Sequence, residues 1–304
     1  MQRFSGLVFL LLAVCIGYLA ARSKLVDGSA ADVLPQILFN ICYPAMIVET
    51  FASIDLGYLL GSGLSVVIAT VVITLILLSG SLLIFRRCSP EQRALYTFLA
   101  GVGNVTYVAI PMFQIFLPAQ GALLAILHGA SQDPLIWAVY NPLLIGSQKG
   151  KGQSLSKILL NPCLMATAAG LVLVGFRLTI PAVLMDTISR LSGITAPVAM
   201  LLIGMLVQRY GLFSWVRDKK ALLYSVVRVL VFPISIGFAL FPFVAPVTAI
   251  LLAVLFATPG PLMAVAWATQ AKSQVEFTVH CFLASTLLYL LVMTPLLIYL
   301  APYV

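Results

Sequence analysis

GVGNVTYVAIP, from Gly101 to Pro111, interrupts a long uncharged stretch that otherwise has the character of a membrane-spanning helix. Proline removes a backbone donor and clashes with the preceding turn, and each glycine lowers helix stability by roughly 1 kcal/mol. Backbone groups freed by a break are costly in hydrocarbon, so breaks persist where protein or a water-filled cavity surrounds them. The stretch therefore predicts a broken helix inside a membrane domain, facing something other than lipid.

The composition indicates an integral membrane protein. Of 304 residues, 62% are hydrophobic and only 9% are charged, and the mean hydropathy is +1.12. Soluble domains average about 25% charged residues. Stretches close to or above the roughly 20 residues of a spanning helix lie at 6–21, 33–52, 58–84, 94–117, 120–145, 158–176, 187–207, 219–241, 246–269 and 276–301. We predict one all-α membrane domain of ten transmembrane helices.

The net charge of +8 is distributed unevenly between the loops. With ten spans, one side collects Arg22, Lys24, Arg86, Arg87, Arg93, Lys149, Lys151, Lys157, Arg209, Arg217, Lys219, Lys220 and Lys272, and the other collects Arg3, Arg177 and Arg190. Because basic loops remain in the cytoplasm, both termini are expected outside. The charge is thus a topology signal, and no nucleic-acid partner is expected. The five cysteines lack metal-binding spacing, so neither a metal nor another cofactor is expected.

The sequence contains an internal repeat with an offset of 153 residues. At this offset the matches are Gly17 with Gly170, Pro44 with Pro197, and PLLI at Pro142–Ile145 with PLLI at Pro295–Ile298. The repeats are 1–150 and 151–304, each with five predicted spans. Five is odd, so the second repeat must insert upside down, an arrangement typical of secondary transporters. The polar segment at 146–157 is predicted to link them as a cytoplasmic loop.

The break at Gly101–Pro111 has a counterpart in the second repeat. Asn104–Val108 aligns with Ala257–Pro261, which reads ATPGP, so the fourth and the ninth spans are both broken. Either break alone is explained by a kink or by close helix packing. Paired breaks at corresponding positions indicate a transport site. The half-helix N-termini at such breaks carry partial positive charge, which favours an anionic ligand.

Motifs along nearly the whole chain resemble those of the auxin efflux carrier family of permeases, which includes plant auxin exporters and bacterial malonate-type carriers. Residues 103–111 resemble Gly-Asn-Thr-Gly-Tyr-x-Gly-x-Pro, with matches at Gly103, Asn104, Tyr107 and Pro111 and departures at Val105, Thr106 and Ala109. ATPGPLMAVAWATQ, residues 257–270, is similar to the family's second broken span, with Met263 where members often have Asn. The segments at 161–173, 197–207 and 284–297 resemble further family motifs in the same order.

The resemblance implies two inverted five-helix repeats with crossed broken helices 4 and 9. It also implies transport of small organic anions across a bacterial cytoplasmic (inner) membrane. We expect the substrate to bind at the crossing, held by Asn104, by exposed amides around Gly103 and Gly260, and by Arg228. The predicted substrate-binding residues are Gly103, Asn104, Thr106, Tyr107, Pro111, Thr258, Pro259, Gly260 and Arg228.

Ionisable residues near the centres of the spans are functional candidates because a charge costs at least about 2.5–3.5 kcal/mol at mid-bilayer. Arg228 is either a counter-charge for an anion, a structural ion pair with Asp133 or another helix, or a side chain that snorkels to the cytoplasm. Asp133 is either a proton carrier or the partner of Arg228. His128 is a second candidate for proton coupling, and its alternative is a packed, hydrogen-bonded histidine.

Other functions fit the sequence less well. No metalloprotease motif, nucleophile elbow or paired acidic motif suggests an enzyme, and no ring of charges suggests a channel. The main alternative is a sodium-coupled symporter of the bile-acid type or a cation/proton antiporter, which share the inverted-repeat architecture. Expected partners are a small organic anion, protons and the lipid bilayer. The oligomeric state stays open, with a homodimer among the options.

Overall fold

The computed structural model describes residues 2–54, 56–117, 120–146, 160–211 and 213–303, and no strand occurs among them. Helices of the first half are α1 (Gln2–Arg22), α2 (Ala30–Ala52), α3 (Leu64–Ile84), α4 (Pro90–Gly101), α5 (Ile110–Phe116) and α6 (Gln120–Leu135). Those of the second half are α7 (Pro162–Gly175), α8 (Ala182–Gly193), α9 (Thr195–Tyr210), α10 (Lys219–Leu240), α11 (Pro246–Phe256), α12 (Leu262–Ala271) and α13 (Val275–Leu300). Most of the predicted linking loop, 147–157, lies outside the described residues.

Short irregular turns interrupt or extend several of these helices. π-helical turns occupy Leu38–Cys42 and Val227–Val231 within α2 and α10, Leu59–Gly63 before α3, Val105–Ala109 before α5, and Ile136–Tyr140 after α6. A final helical turn, Asn141–Gly146, follows α6, and a 3₁₀ turn, Ser214–Arg217, precedes α10. Single π turns inside α-helices are frequent at functional sites.

Six segments of the described chain are long and apolar enough to cross a membrane. They are Ala30–Ala52, Leu64–Ile84, Pro90–Phe116, Ala182–Tyr210, Lys219–Leu240 and Val275–Leu300, and each overlaps a predicted span. The other four predicted spans also contain helices: α1 covers the first of them without interruption, and the other three contain shorter or interrupted helices. The helix in 158–176 begins only at Pro162, because the Asn161 side chain caps it by accepting from the N–H groups of Cys163 and Leu164. The break at 257–261 divides the ninth span into α11 and α12.

The helices pack as two bundles. The first bundle comprises α1, α2, α7, α8 and α9: α1 packs along α9, and α2 packs along α7 and α8. The second bundle comprises α3–α6 and α10–α13: α3 packs against α4 and α6, and α10 packs against α11 and α13. The bundles meet where α5 and α6 contact α1, α7 and α9. Both broken helices therefore belong to the second bundle and lie close to its border with the first.

Two glycines allow α1 and α9 to approach backbone to backbone. A Cβ on Gly17 would lie 2.1 Å from the carbonyl oxygen of Leu201, and a Cβ on Gly204 would lie 2.0 Å from that of Val14. Small residues permit this close packing of membrane helices.

Gly204→Ala should lower the stability of the first bundle, because the added methyl group forces the α1 and α9 backbones apart. Overpacking of this kind costs about 1–3 kcal/mol, which thermal unfolding in detergent would measure. The matched control is Gly80→Ala in α3, where a Cβ meets nothing within 4 Å. That variant should unfold at the wild-type temperature or slightly above it. Equal effects at both positions would contradict the close approach of α1 and α9.

Candidate transport site

Both predicted helix breaks are present. α4 ends at Gly101, Val102 is extended (φ −112°, ψ 141°), and Asn104 is non-helical (φ −84°, ψ 59°) before the helix resumes at Val105. α11 ends at Phe256, and α12 begins at Leu262 after the Thr258–Pro261 segment. Within these segments the helical backbone hydrogen bonds are interrupted, so their polar groups need other partners.

The two breaks contact each other directly. The backbone N–H of Asn104 donates to the carbonyl oxygen of Pro259 at 2.8 Å. Gly103 lies so close to the second break that a Cβ there would be 2.0 Å from Oγ1 of Thr258 and 2.5 Å from Nη2 of Arg228. Glycine at 103 is thus a requirement of this crossing rather than only a helix breaker.

Arg228 forms hydrogen bonds at the C-terminal ends of α4 and α11, the half-helices that precede the two breaks. Its Nε donates to the carbonyl oxygen of Thr258 at 2.9 Å, and its Nη1 donates to that of Ala100 at 2.7 Å. The side chain is 1% exposed. Carbonyl groups at helix C-termini carry partial negative charge, so a guanidinium at the ends of α4 and α11 is electrostatically favourable.

This position of Arg228 rules out two of the sequence-based interpretations. The side chain does not snorkel, because it is buried. It also forms no ion pair with Asp133 or with any other acid in the described residues. Its hydrogen bonds to backbone carbonyls make it a structural clamp on the crossing.

Side chains of α6, α10 and α13 satisfy further backbone groups at the breaks. Gln132 Nε2 donates to the carbonyl of Gly101 at 3.2 Å, and the amide of Gly260 donates to Ser285 Oγ at 3.0 Å. The hydroxyl of Tyr224 donates to the carbonyl of Leu99 at 3.1 Å. The amide of Gly260 is therefore occupied, contrary to the expectation that it is exposed to substrate.

A small cavity lies at the border of the two bundles. The second bundle lines it with the first residues after both breaks, including Asn104, Thr106 and Met263, and the first bundle contributes Phe39 and Tyr43 from α2. The volume of the cavity is about 30 Å³. That is enough for one or two waters and too little for an organic acid, so the cavity must widen to bind one.

Five buried polar atoms of cavity-lining residues form no hydrogen bond of good geometry within the described protein, although the Tyr43 hydroxyl lies beside the Asp133 carboxyl group and Thr106. They are Tyr43 Oη, Asn104 Nδ2, Tyr107 Oη, Asp133 Oδ2 and Trp137 Nε1. A buried group without a partner costs about 1–3 kcal/mol, and native proteins have few of them. Five around one cavity indicate groups that a ligand or water satisfies. Four of these atoms are donors, and only Asp133 presents a carboxyl oxygen.

Phe39 holds the aromatic donors in place. Its ring makes edge-to-face contacts with Tyr43, Tyr107 and Trp137, with centroids 6.2, 5.4 and 6.4 Å away. Such contacts add roughly 0.5–1.5 kcal/mol each beyond burial. Because Phe39 and Tyr43 belong to the first bundle and the other two rings to the second, this aromatic cluster bridges the two bundles.

The structure places the predicted site residues in three environments. Gly103, Asn104, Thr106, Tyr107 and Asp133 line the cavity. Thr258, Pro259, Gly260 and Arg228 form the crossing beside it, and Pro111 is buried in the first turn of α5. His128 lies outside the cavity, the crossing and α5.

His128 is embedded in the second bundle. Its Nδ1 lies 2.9 Å from Oγ1 of Thr70 in α3, and its ring packs edge-on against Phe256 at 4.7 Å. It is fully buried and does not line the cavity. This is the packed, hydrogen-bonded alternative from the sequence analysis.

Sequence reasoning missed Phe39 and Tyr43 and attached no role to Trp137. Phe39 and Tyr43 lie on the predicted second span, far from either break, so no spacing rule links them to the crossing. Trp137 lies four residues after Asp133, one helical turn away, and the two line the same cavity. Asn141, four residues after Trp137, does not line the cavity, because the π-helical turn at Ile136–Tyr140 alters the helical register.

A protein-family model described as membrane transport protein matches the chain over residues 4–153 and 147–298. The chain belongs to the auxin efflux carrier family of membrane transport proteins. The family predicted from the sequence motifs is thereby confirmed. No curated protein matches this transporter. With its apolar helices, the family membership makes it a multi-pass membrane transporter.

Proposed function

We propose that the protein is a secondary transporter, or permease, that moves small organic anions such as mono- or dicarboxylates by alternating access. The observation that carries this proposal is the set of buried donors without a partner on Asn104, Tyr107 and Trp137, next to the Tyr43 hydroxyl that lies beside Asp133. A carboxylate offers only acceptors, at about four lone-pair sites. Hydrogen bonds to an ionised acceptor are roughly twice as strong as neutral ones. The donors therefore favour a carboxylate over a neutral ligand or a cation.

The polarity of the half-helices supports the same ligand class. The residues that begin the second half-helices, at Val105 and Leu262, line the cavity. First-turn amides of a helix have no intrahelical acceptor, and the side chain of Asn104 does not cap them. Their partial positive charge favours an anion between the two breaks. Arg228 contributes by holding the opposite, negative helix ends together.

Several contacts support two inverted repeats of five helices each, at 1–150 and 151–304. Under the 153-residue offset, α1 corresponds to α7, and α2 corresponds to α8 together with α9. The contact of α1 with α9 therefore corresponds to the contact of α7 with α2, and both contacts are present. Gln132 and Ser285 are also 153 residues apart, and each bonds a backbone group at the break of the preceding helix. A side chain at the same position of each half thus holds backbone at a break, which supports the proposed repeat.

The mechanism that we propose moves the second bundle against the first. The substrate binds to groups of both bundles at their border and is enclosed by the aromatic cluster around Phe39. Movement of the second bundle then exposes the cavity to the other side of the membrane. Inside the second bundle, the crossing is held by Arg228 and by the bond from Asn104 to Pro259, so it moves as a unit.

Asp133 is our candidate for proton coupling. Its unpartnered Oδ2 faces the same cavity as the four donors, and the Tyr43 hydroxyl lies beside it. A proton on Asp133 would remove the repulsion between its carboxylate and an anionic substrate, so binding of the two would be linked. We assign His128 a structural role, because its ring packs away from the cavity.

A sodium-coupled carrier is the alternative that the same cavity must be tested against. The crossing itself has no carboxylate, but Asp133 brings one to Asn104 and Thr106, whose oxygens are suitable sodium ligands. The excess of donors argues for the anion. The basic loops favour the cytoplasmic membrane with both termini outside, which accessibility labelling of single introduced cysteines would test.

Uptake of labelled malonate into proteoliposomes would test the proposal. We expect uptake above that of protein-free liposomes, faster with an imposed inward proton gradient. Protein-free liposomes correct for passive entry of the protonated acid. Asp133→Asn should retain a low uptake that no longer responds to the gradient. The control Asn40→Ala changes an exposed amide next to Phe39 and should transport normally.

The outcomes separate the candidate functions. Uptake that requires sodium and ignores pH would replace the proposal with the sodium-coupled alternative. Absence of uptake for malonate and for a panel of monocarboxylates would overturn the substrate class. A normal gradient response in Asp133→Asn would remove Asp133 from the proton path.

A further inference from the structure

A second polar cleft lies away from the transport cavity, where α3 ends and α4 begins. Arg86, Cys88, Arg93 and Pro142 line it together with apolar residues of α3, α4 and the turn after α6. Its volume is about 540 Å³. It is therefore much larger than the cavity at the helix breaks and within the usual size of ligand sites.

The cleft has positive charge without a matching acid. None of the described residues lining it is acidic, and the neighbouring Glu91 is exposed and accepts instead from Ser273 Oγ at 3.4 Å. The Nε of Arg93 is buried and lacks a hydrogen-bond partner in the described chain. A buried guanidinium donor without an acceptor is costly, so it points to a ligand that the cleft accepts.

The surroundings place this charge at the membrane surface. Leu83 and Ile84, in the last turn of α3, are 68% and 75% exposed, as expected for lipid-facing side chains. Arg86 follows two residues later. The N-terminus of α4, at Pro90, opens at the same cleft and adds partial positive charge.

We propose that this cleft binds a phosphate group, as the phosphodiester of an anionic phospholipid. Arginine pairs with phosphate oxygens through parallel N–H donors. Basic pockets between membrane helices bind such head groups, and the apolar residues of the cleft provide a surface for the start of an acyl chain. Free inorganic phosphate shares this chemistry and is the other source of the ligand. The site is independent of the organic-anion cavity and of the function proposed for it.

Cys88 provides a reporter inside the cleft. Of the other cysteines, Cys42, Cys163 and Cys281 are buried, and only Cys15 is exposed. In a Cys15→Ala background, the rate of maleimide reaction at Cys88 therefore reports occupancy. Because phosphatidylcholine also carries a phosphodiester, the rate would be measured in maltoside micelles free of phospholipid, in the same micelles with phosphatidylglycerol, and in the same micelles with added inorganic phosphate.

We expect phosphatidylglycerol to slow the reaction at Cys88, and each lost arginine to reduce that protection by about fivefold. Arg86→Gln changes an exposed side chain, so it should fold normally, and Arg86→Gln with Arg93→Gln should abolish protection. Arg87→Gln is the matched control, because its exposed side chain does not line the cleft. The control also accounts for the effect of micelle surface potential on the thiol.

Each result has a definite meaning. Protection by phosphatidylglycerol alone supports a lipid site, and protection by inorganic phosphate supports the same site with a soluble ligand. Equal rates in all three conditions would overturn the proposal. Equal loss of protection in Arg87→Gln and in Arg86→Gln would also overturn it, since general surface charge would then explain the effect.

Discussion

Replacing Arg228 by methionine should abolish transport and lower the free energy of unfolding by about 2–6 kcal/mol. Methionine fills a similar apolar volume but leaves the buried carbonyl of Thr258 and the half-buried carbonyl of Ala100 without donors. Each unsatisfied group costs about 1–3 kcal/mol. The crossing would also lose the positive charge between the C-terminal ends of α4 and α11. Thermal unfolding in detergent and uptake into proteoliposomes measure the two effects.

Two further arginine variants make this prediction specific. Arg209→Gln removes a surface ion pair with Asp32 in which both side chains are at least 40% exposed, and such pairs contribute at most about 1 kcal/mol. It should behave nearly as wild type. Arg228→Lys retains the charge with fewer donors and should have intermediate stability. If Arg228→Met were as stable as wild type and only raised the KM, the arginine would bind substrate directly, and the structural clamp would be wrong.

Replacing Asn104 by alanine should reduce uptake by about 10- to 100-fold without loss of stability. A hydrogen bond to a charged group contributes about 1.5–3 kcal/mol, and every 1.4 kcal/mol is tenfold in affinity. The fold should survive because the contact between the breaks uses the backbone N–H of Asn104, which alanine retains. Removal of Nδ2 even eliminates one buried donor without a partner.

Asn104→Asp provides the sharper second variant. It preserves the shape of the side chain but replaces an amide donor with a carboxylate that repels an anion. We expect uptake below that of Asn104→Ala at neutral pH. Both variants would be compared with Asn40→Ala at equal amounts of inserted protein. Normal uptake by either variant would remove Asn104 from the substrate site, while the crossing of the two breaks would remain.

Much of the site was predictable because its signals are local. Glycine, asparagine and proline in GVGNVTYVAIP disrupt a helix wherever it folds, and ATPGP does the same in the second half. The low charge content and the apolar stretches indicate a membrane protein without any knowledge of packing. The placement of Gly103, Asn104, Thr106 and Tyr107 at one cavity follows from their position at the break.

The roles of the charged residues were not predictable in this way. Arg228 was an open choice between substrate, ion pair and membrane surface, and the structure excludes the last two and adds hydrogen bonds to backbone carbonyls. A backbone carbonyl cannot be predicted from the sequence as the partner of an arginine, because every residue has one. His128 and Asp133 are five residues apart on α6, yet only Asp133 faces the cavity, since His128 faces Thr70 on α3.

The sequence by itself determined that this is a helical membrane transporter with two breaks, because composition, proline and glycine act over short distances. Only the tertiary structure decided which groups surround the cavity. Phe39 and Tyr43 come from the other bundle, and the contact of Phe39 with Tyr107 and Trp137 depends on how the two bundles pack. Contacts between residues far apart in the chain depend on the shape of all the helices together, so no local pattern specifies them.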